Sequence, residues 1–353
     1  MLLILDPFFP YLRWAAMENG KVSEGKCLFD AGWLDRLGRD IGGLERVRSV
    51  GYVLYHGGEI IKDGVEEVSP ESIGRLERCV KLLPEYNDLT LKAVRQCRRV
   101  LPRARHLLLC DTAFFVDLPE EVSTYAVPYE LRRRGIRRYG SQGLVHQWAW
   151  KKICARTKKK PVRAISIYLG NYTNVVAICG GKARETSTGF TQVEGIISAS
   201  SCGDIDPTVI FQLHSTGMSF EAINRLLSKE SGFAALAGKK TELPDVLCGG
   251  NKGKAVALRR IYCYNILKYV GAFVAALGSV DTIMFIGEDI RGISPFIRLF
   301  CRSLDFLGLK AGSVTSGSGE IADLTHSASR VNVFYLKYNK WRVLSDWCKE
   351  VLK

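Results

Sequence analysis

Short apolar runs that stop at glycine or at a charged residue recur along both halves of this chain, with helical stretches between them. This alternation limits the fold more than any other feature, because glycine-ended strands interleaved with helices are the pattern of an α/β protein. In the first half, residues 2–5 read as an apolar strand and residues 49–55 as another, ending at His56-Gly57-Gly58. Helices are expected at 72–83 and at 87–100, the second placing Leu89, Leu91, Ala93 and Val94 among polar residues. A buried strand over 106–110 ends at Asp111, and a turn-rich aromatic stretch follows to Tyr139. The second half opens with a strand over 162–168 that runs into Gly170 and Asn171. Strands at 175–179 and 182–186 flank Gly180-Gly181, a hairpin signal. Helices follow at 206–215, 219–228 (Ser219 as N-cap) and 254–277, then a strand at 282–286 and a helix at 295–307. A Gly/Ser loop at 312–319, a strand at 331–336 and a helix at 342–352 close the chain. Two α/β domains are the expectation.

Composition agrees. Of 353 residues 47% are hydrophobic and 24% charged, which excludes disorder and allows two sizeable cores. The most apolar stretch, 269–287, is broken by Gly278, Ser279 and Asp281, so no spanning helix is expected. Residues 1–5 are interrupted at Asp6, Pro7 and Pro10, which reads as a strand rather than a signal peptide. Eleven cysteines, an odd number without a CxxC pair, fit reduced thiols in a cytoplasmic compartment and argue against zinc. The net charge of +14 is concentrated within 95–105, 132–138 and 151–163. Such clusters are either solvated faces or a footprint for an anionic partner, and weak, salt-sensitive polyanion or nucleic-acid binding is expected from them. Tyr139, Trp148 and Trp150 are available for stacking in that reading, or for the core in the plainer one.

An ordered series of motifs goes further. HGGE begins at His56, DTAFF at Asp111, RRYGSQGLVH at Arg137, YLGNY at Tyr168, ETSTGFTQVEG at Glu185 and CGDIDP at Cys202. In this order and spacing the chain resembles the acetate kinase (acetokinase) family, over nearly its whole length. The resemblance implies two actin-like (ribonuclease H-like) domains of the acetate and sugar kinase/Hsp70/actin superfamily, flanking a cleft. Residues 1–110 plus 341–353 would form the first domain, and 111–340 the second, with the nucleotide and dimer regions. It further implies phosphoryl transfer between ATP and acetate, with ATP and Mg²⁺ as cofactors, and a homodimer through the second domain. For the dimer, Ile266, Leu267, Val270, Phe273, Val274 and Leu277 make helix 262–277 apolar on more than one face.

The chemistry the resemblance implies needs cations around the transferring phosphoryl group. Here the matching positions have changed together. Val53 and Ser201 stand where the family has arginines, and Tyr86, Gln142 and Tyr168 where it has histidines, while His146 is kept. Asp111 is the retained residue with a chemical role in the family. The family's loop of small residues after an asparagine reads Asp6-Pro7-Phe8-Phe9-Pro10-Tyr11, with Asp6 a candidate for Mg²⁺. The metal-linked Asn-Glu-Glu reads Asn339-Lys340-Trp341. On the nucleotide side, Gly170 and Asn171 fit the pattern, Gly287 begins an altered loop, and Glu242 begins the stretch matching Asp-Phe-Arg. Retained glycines read as turn residues, and Asp204 and Asp206 as caps for the helix near Pro207. The main expectation is therefore a catalytically degenerate family member acting as a binding or structural protein. The alternatives are an active carboxylate kinase of altered substrate or cofactor, and a nucleic-acid-associated protein.

Overall fold

The structure is a computed structural model and describes residues 1–8, 10–157, 160, 162–170, 172–249, 253–288, 293–312 and 319–353. The chain divides into two units: Met1–Val116 with Asn339–Lys353, and Asp117–Tyr338.

The first unit is built on six strands: β1 (Leu2–Phe8), β2 (Tyr11–Glu18), β3 (Lys21–Leu28), β4 (Ser49–Leu54), β5 (Val65–Glu67) and β6 (Arg105–Cys110). Their order across the sheet is β3-β2-β1-β4-β6-β5. β1, β4 and β6 run parallel, and the others pair antiparallel. The parallel strands are the continuous apolar runs seen in the sequence. Covered on both faces, they need no polar alternation. One face packs on helix Pro84–Val100, through Leu91, Ala93, Val94 and Cys97. The other receives helix Lys340–Leu352 on β1, β5 and β6. There Gly51 has no room for a side chain, since a Cβ would lie 2.8 Å from Leu109 Cδ1 and 2.9 Å from Cys348 Sγ.

The second unit has β7 (Arg163–Leu169), β8 (Asn174–Cys179), β9 (Lys182–Thr186), β10 (Thr282–Gly287), β11 (Ile321–Asp323) and β12 (Asn332–Lys337). Their order is β11-β12-β10-β7-β8-β9. Numbered within each unit, both sheets therefore run third-second-first-fourth-sixth-fifth. Parallel and antiparallel pairs fall at the same places. The two halves are the same sheet built twice, as the actin-like fold requires.

Several elements differ from expectation. β2 and β3 were not anticipated, although Asn19-Gly20 between them is a hairpin signal; both residues adopt positive φ, 49° and 78°. The helix expected at 72–83 ends at Cys79. Pro84 then opens the next helix, where its fixed φ suits the first turn. Asp206 does cap, accepting from Thr208 N at 2.8 Å, whereas Asp204 does not. Asp204 accepts instead from Gly195 N at 2.8 Å and Tyr269 Oη at 2.6 Å. Helix Lys254–Leu277 buries Ile266, Val270 and Phe273 in its own unit, and Leu267, Val274 and Leu277 pack against that same core. Ile261 and Tyr264 of the same helix stay exposed. The expected Gly/Ser loop lies largely outside the described residues.

Candidate functional site

In open α/β sheets, ligands bind beyond the carboxyl ends of the parallel strands. In the first unit those ends carry Asp6 (β1), Tyr55 and His56 (after β4) and Asp111 (after β6). Asp6 is 0% exposed, and both its oxygens are engaged. Oδ1 accepts from Tyr55 Oη at 2.6 Å. Oδ2 accepts from Lys340 Nζ at 2.6 Å and faces Arg13 Nη2 at 2.5 Å. The hairpin sets the second contact, because Asp6 and Arg13 are register partners on β1 and β2. The first joins opposite ends of the chain, with Lys340 opening the last helix behind its N-cap Asn339. Tyr55 Oη also accepts from Arg13 and from Lys340, each at 3.2 Å. Burial, reinforced by Asp6, raises the Tyr55 phenol well above its usual range, so it stays protonated and donates. Burial pulls the Lys340 ammonium below the ordinary lysine value, and Asp6 opposes that pull.

Aromatic rings surround this cluster. Arg13 lies 4.5 Å from the Phe8 ring centroid, and Lys340 lies over Tyr55 and Trp341. Tyr86 meets the Tyr55 ring at 5.1 Å and Phe8 at 6.1 Å. Phe8 pairs directly with Tyr11, so a tight hairpin stands where a loop of small residues is implied; Phe9 lies outside the described residues. Val53 is buried in β4, its carbonyl accepting from Thr90 Oγ1 at 2.9 Å. Asn87 Nδ2 donates to the carbonyls of His56 and Cys79, each at 2.8 Å, and Gly57 N donates to Thr112 Oγ1 at 2.9 Å. Asp111 is buried at the start of a 3-10 turn and acts electrostatically on Tyr55 and Lys340. The structure brings Asp6, Tyr86, Asp111 and Lys340 together with Arg13 and Tyr55, which the sequence reading does not name.

In the second unit the corresponding strand ends carry Tyr168, Gly170, Gly287 and Tyr338. The Tyr168 and Tyr338 rings meet edge to face at 5.4 Å. A Cβ on Gly170 would run into the Tyr168 ring, and one on Gly287 into the Tyr335 hydroxyl. Tyrosine therefore occupies the space beside both glycines. Asn171 lies outside the described residues. Ser201 is fully buried, its Oγ 2.7 Å from Ser198 Oγ, closing a serine turn. Gln142 holds φ 55° at the N-cap of helix Gly143–Arg156, and its Oε1 accepts from Ser141 Oγ. The kept His146 is buried in that helix, with Nδ1 2.8 Å from Ser166 Oγ. Burial pushes its pKa down to about 3, so it is a neutral core residue. Glu242 is an exposed N-cap that pairs with Lys240 at 3.1 Å.

The family model described as the Acetokinase family matches residues 34–345. The chain belongs to the acetokinase family. It is 33% identical over 318 residues to the acetate kinase of Porphyromonas gingivalis, covering 88% of this chain and 79% of that protein. The acetate kinase of Coprothermobacter proteolyticus is 33% identical over 322 residues, with the same coverage. The crystal structure of the P. gingivalis acetate kinase superposes with TM-score 0.86 at 28% identity, covering 100% of this chain and 99% of that one. The Entamoeba histolytica acetate kinase structure shares the fold at TM-score 0.86, 20% identity and coverage of 99% and 98%.

The groups implied by this acetokinase ancestry fit poorly. Asp6, the metal candidate, has both oxygens taken by donors, two of them cationic. Among the described residues no group of three or more His, Cys, Asp or Glu is placed to hold a metal ion. On the nucleotide side, Gly170 and Gly287 are covered by tyrosine and Glu242 is a solvent-facing cap. Some of the clustered basic residues are paired with acids. Arg95 pairs with Glu77, Arg105 with Glu67 at 3.1 Å, Arg138 with Glu194 at 2.9 Å and Lys152 with Glu320 at 3.1 Å. Of the aromatics weighed for stacking on bases, Trp148 and Tyr139 are core residues.

Proposed function

We propose that this acetokinase-family protein performs phosphoryl transfer between ATP and acetate at background rate only, and works as a binding or structural protein. The observation that carries this reading is the Lys340 ammonium, 2.6 Å from Asp6, at a position the family resemblance links to the metal. In phosphoryl transfer the developing charge on the equatorial oxygens is met by arginines and bridging metal, and each such group is worth orders of magnitude in rate. Val53, Ser201, Gln142, Tyr86 and Tyr168 supply no positive charge at the matching positions. An acyl-hydroxamate assay with Mg·ATP and acetate is the test. Turnover within a hundredfold of a family acetate kinase would overturn the proposal and favour an active carboxylate kinase.

The working form we propose is a homodimer in a reducing, cytoplasmic compartment. All eleven cysteines are free thiols, which agrees with that setting. Support for self-association comes from helix Thr208–Ser215, which buries none of its residues although it reads TVIFQLHS. Phe211 is 66% exposed, and Ile205, Val209 and Phe220 are exposed beside it in sequence. An apolar stretch of this kind on a folded surface marks an interface. No helix among the described residues is long and apolar enough to cross a membrane.

A further inference from the structure

We propose that the free edge of β3 (Lys21–Leu28) is a self-association surface, and that its occupant is β3 of a second copy of this chain, running antiparallel with each Glu24 opposite the partner's Lys26. The contact is separate from helix Thr208–Ser215, and neither depends on the other.

β3 closes one side of the first unit's sheet and, among the described strands, pairs with β2 alone. Such an edge leaves backbone donors and acceptors unpaired, and proteins commonly guard it with proline, a bulge or brevity. β3 has eight residues, no proline and an unbroken register. The hairpin geometry says which groups are free. The two-residue turn at Asn19-Gly20 makes Glu18 and Lys21 a hydrogen-bonded pair, and the alternation continues to Phe29 N, which donates to Pro10 O at 2.9 Å. Val22, Glu24, Lys26 and Leu28 therefore direct their backbone N–H and C=O groups away from β2. At Leu28 that carbonyl accepts from Arg36 Nη2 at 2.9 Å, which marks the end of the free edge.

The same residues carry the side chains of one sheet face, and all of them are exposed, Val22 at 57% and Leu28 at 46%. Among the described residues Glu24 has no ion-pair partner, and Lys26 lies over the Tyr11 ring at 5.2 Å. A single sign of charge on an edge repels a second copy. An acid and a base on alternate residues do the opposite when two copies run antiparallel. One register sets each Glu24 against the partner's Lys26 and each Val22 against the partner's Leu28. Sliding two residues either way sets Glu24 against the partner's Glu24, or Lys26 against the partner's Lys26. Opposite charges and apolar pairs directly across a sheet are stabilising, and like charges are not. In the favoured register Glu24 and the partner's Lys26 also exchange hydrogen bonds through their free backbone groups. The two-fold axis falls at Gly25, which meets the partner's Gly25 at the closer, non-hydrogen-bonded spacing of about 4.5 Å, with no side chain to obstruct it. A Cβ there would lie 2.7 Å from Trp14 Cζ2, so the position excludes a larger residue.

One strand pair covers much less than the roughly 1,600 Å² of a standard interface, so its Kd lies above the micromolar range. The test uses full-length Phe211→Asp protein, which removes the other proposed contact, in sedimentation equilibrium from about 10 to about 500 µM. If helix Thr208–Ser215 is no interface, the series reads the same. The mass is expected to rise from monomer toward dimer across that range. Glu24→Lys and Lys26→Glu, each added alone, set like charges against each other and should lose the rise. Both reversals in one chain should regain it, as should an equimolar mixture of the two single variants. In the wild-type background, Glu24→Cys and Lys26→Cys proteins mixed and oxidised with diamide should form a disulfide-linked dimer that neither forms alone. Hydrogen-bonded partners lie about 5.5 Å apart at Cα, within disulfide reach. A mass unchanged at all concentrations would overturn the proposal. So would a rise that survives both single reversals, or one that the double reversal does not restore. Cross-linking of either cysteine variant by itself as strong as the mixture's would overturn the register. Should Phe211→Asp fail to fold, the mixed cysteine proteins decide.

Discussion

Val53 and Ser201, which the proposed reading matches to arginines of the family, are both enclosed by packing. Val53 is enclosed in β4, and Ser201 Oγ is committed to Ser198. Restoring charge therefore does not restore a site. The variant Val53→Arg, Ser201→Arg, Gln142→His should stay inactive in the hydroxamate assay. It should also unfold at lower denaturant, by about 1–3 kcal/mol for each overpacked position. Substantial turnover by this variant would show that the Asp6 to Tyr11 hairpin and the tyrosine-covered glycines still admit nucleotide. His146 makes a second prediction at this scale. Its folded pKa of about 3 lies below the ordinary histidine value, so between those two the unfolded chain holds the extra proton. Stability from this group is complete above pH 6.5 and falls by about 1.4 kcal/mol per unit as pH drops below it. Urea titrations at pH 7 and pH 5 should differ less in His146→Gln than in the wild type. An equal difference would mean that His146 is not the group responsible.

The elements show how an apolar helix is to be read. Helix Lys254–Leu277 buries one face in its own unit, against β7 and β8 and three further helices, while Ile261 and Tyr264 stay exposed. Helix Thr208–Ser215 is short, equally apolar and buries nothing. Full burial of one large aliphatic or aromatic side chain is worth about 1.5–3 kcal/mol. A dimer interface centred on Phe211 would collect that energy from both copies. Phe211→Asp is expected to shift the protein from dimer to monomer in light scattering at micromolar concentration while leaving its circular dichroism unchanged. A wild-type monomer under the same conditions would remove the case for self-association through this helix.

For the whole molecule, the main fact is that the same six-strand sheet is built twice, once in each unit. The first unit is completed by a segment from the far end of the chain. Val343, Leu344, Trp347 and Cys348 are buried against it, and Lys340 supplies a partner to Asp6. Removing residues 339–353 would expose those strands and leave Asp6 short of one cation. The truncated chain should lose the first unit's cooperative transition in calorimetry and become protease-sensitive within 1–116, while 117–338 stays resistant. A truncated protein with an unchanged transition would show that the last helix is dispensable to this unit.

Much of this was readable in the linear sequence, for a local reason. Strand and helix positions follow from side-chain periodicity over a few residues, and turns from glycines whose φ few other residues adopt, as at Gly180 (58°) and Gly181 (86°). The same short-range reading would have found the β2–β3 hairpin from Asn19-Gly20. An ordered series of such motifs was enough to place the chain in its family and to propose which charged positions differ. What the residues at those positions do was decided by tertiary structure. Asp6 meets Tyr55 49 residues away and Lys340 334 residues away. It meets Arg13 through a hairpin register that no periodicity at Asp6 itself encodes. Electrostatic pairing depends on distance in space and on burial. Nothing in the local pattern says whether a lysine near one end of the chain and an aspartate near the other act separately or neutralise each other in contact.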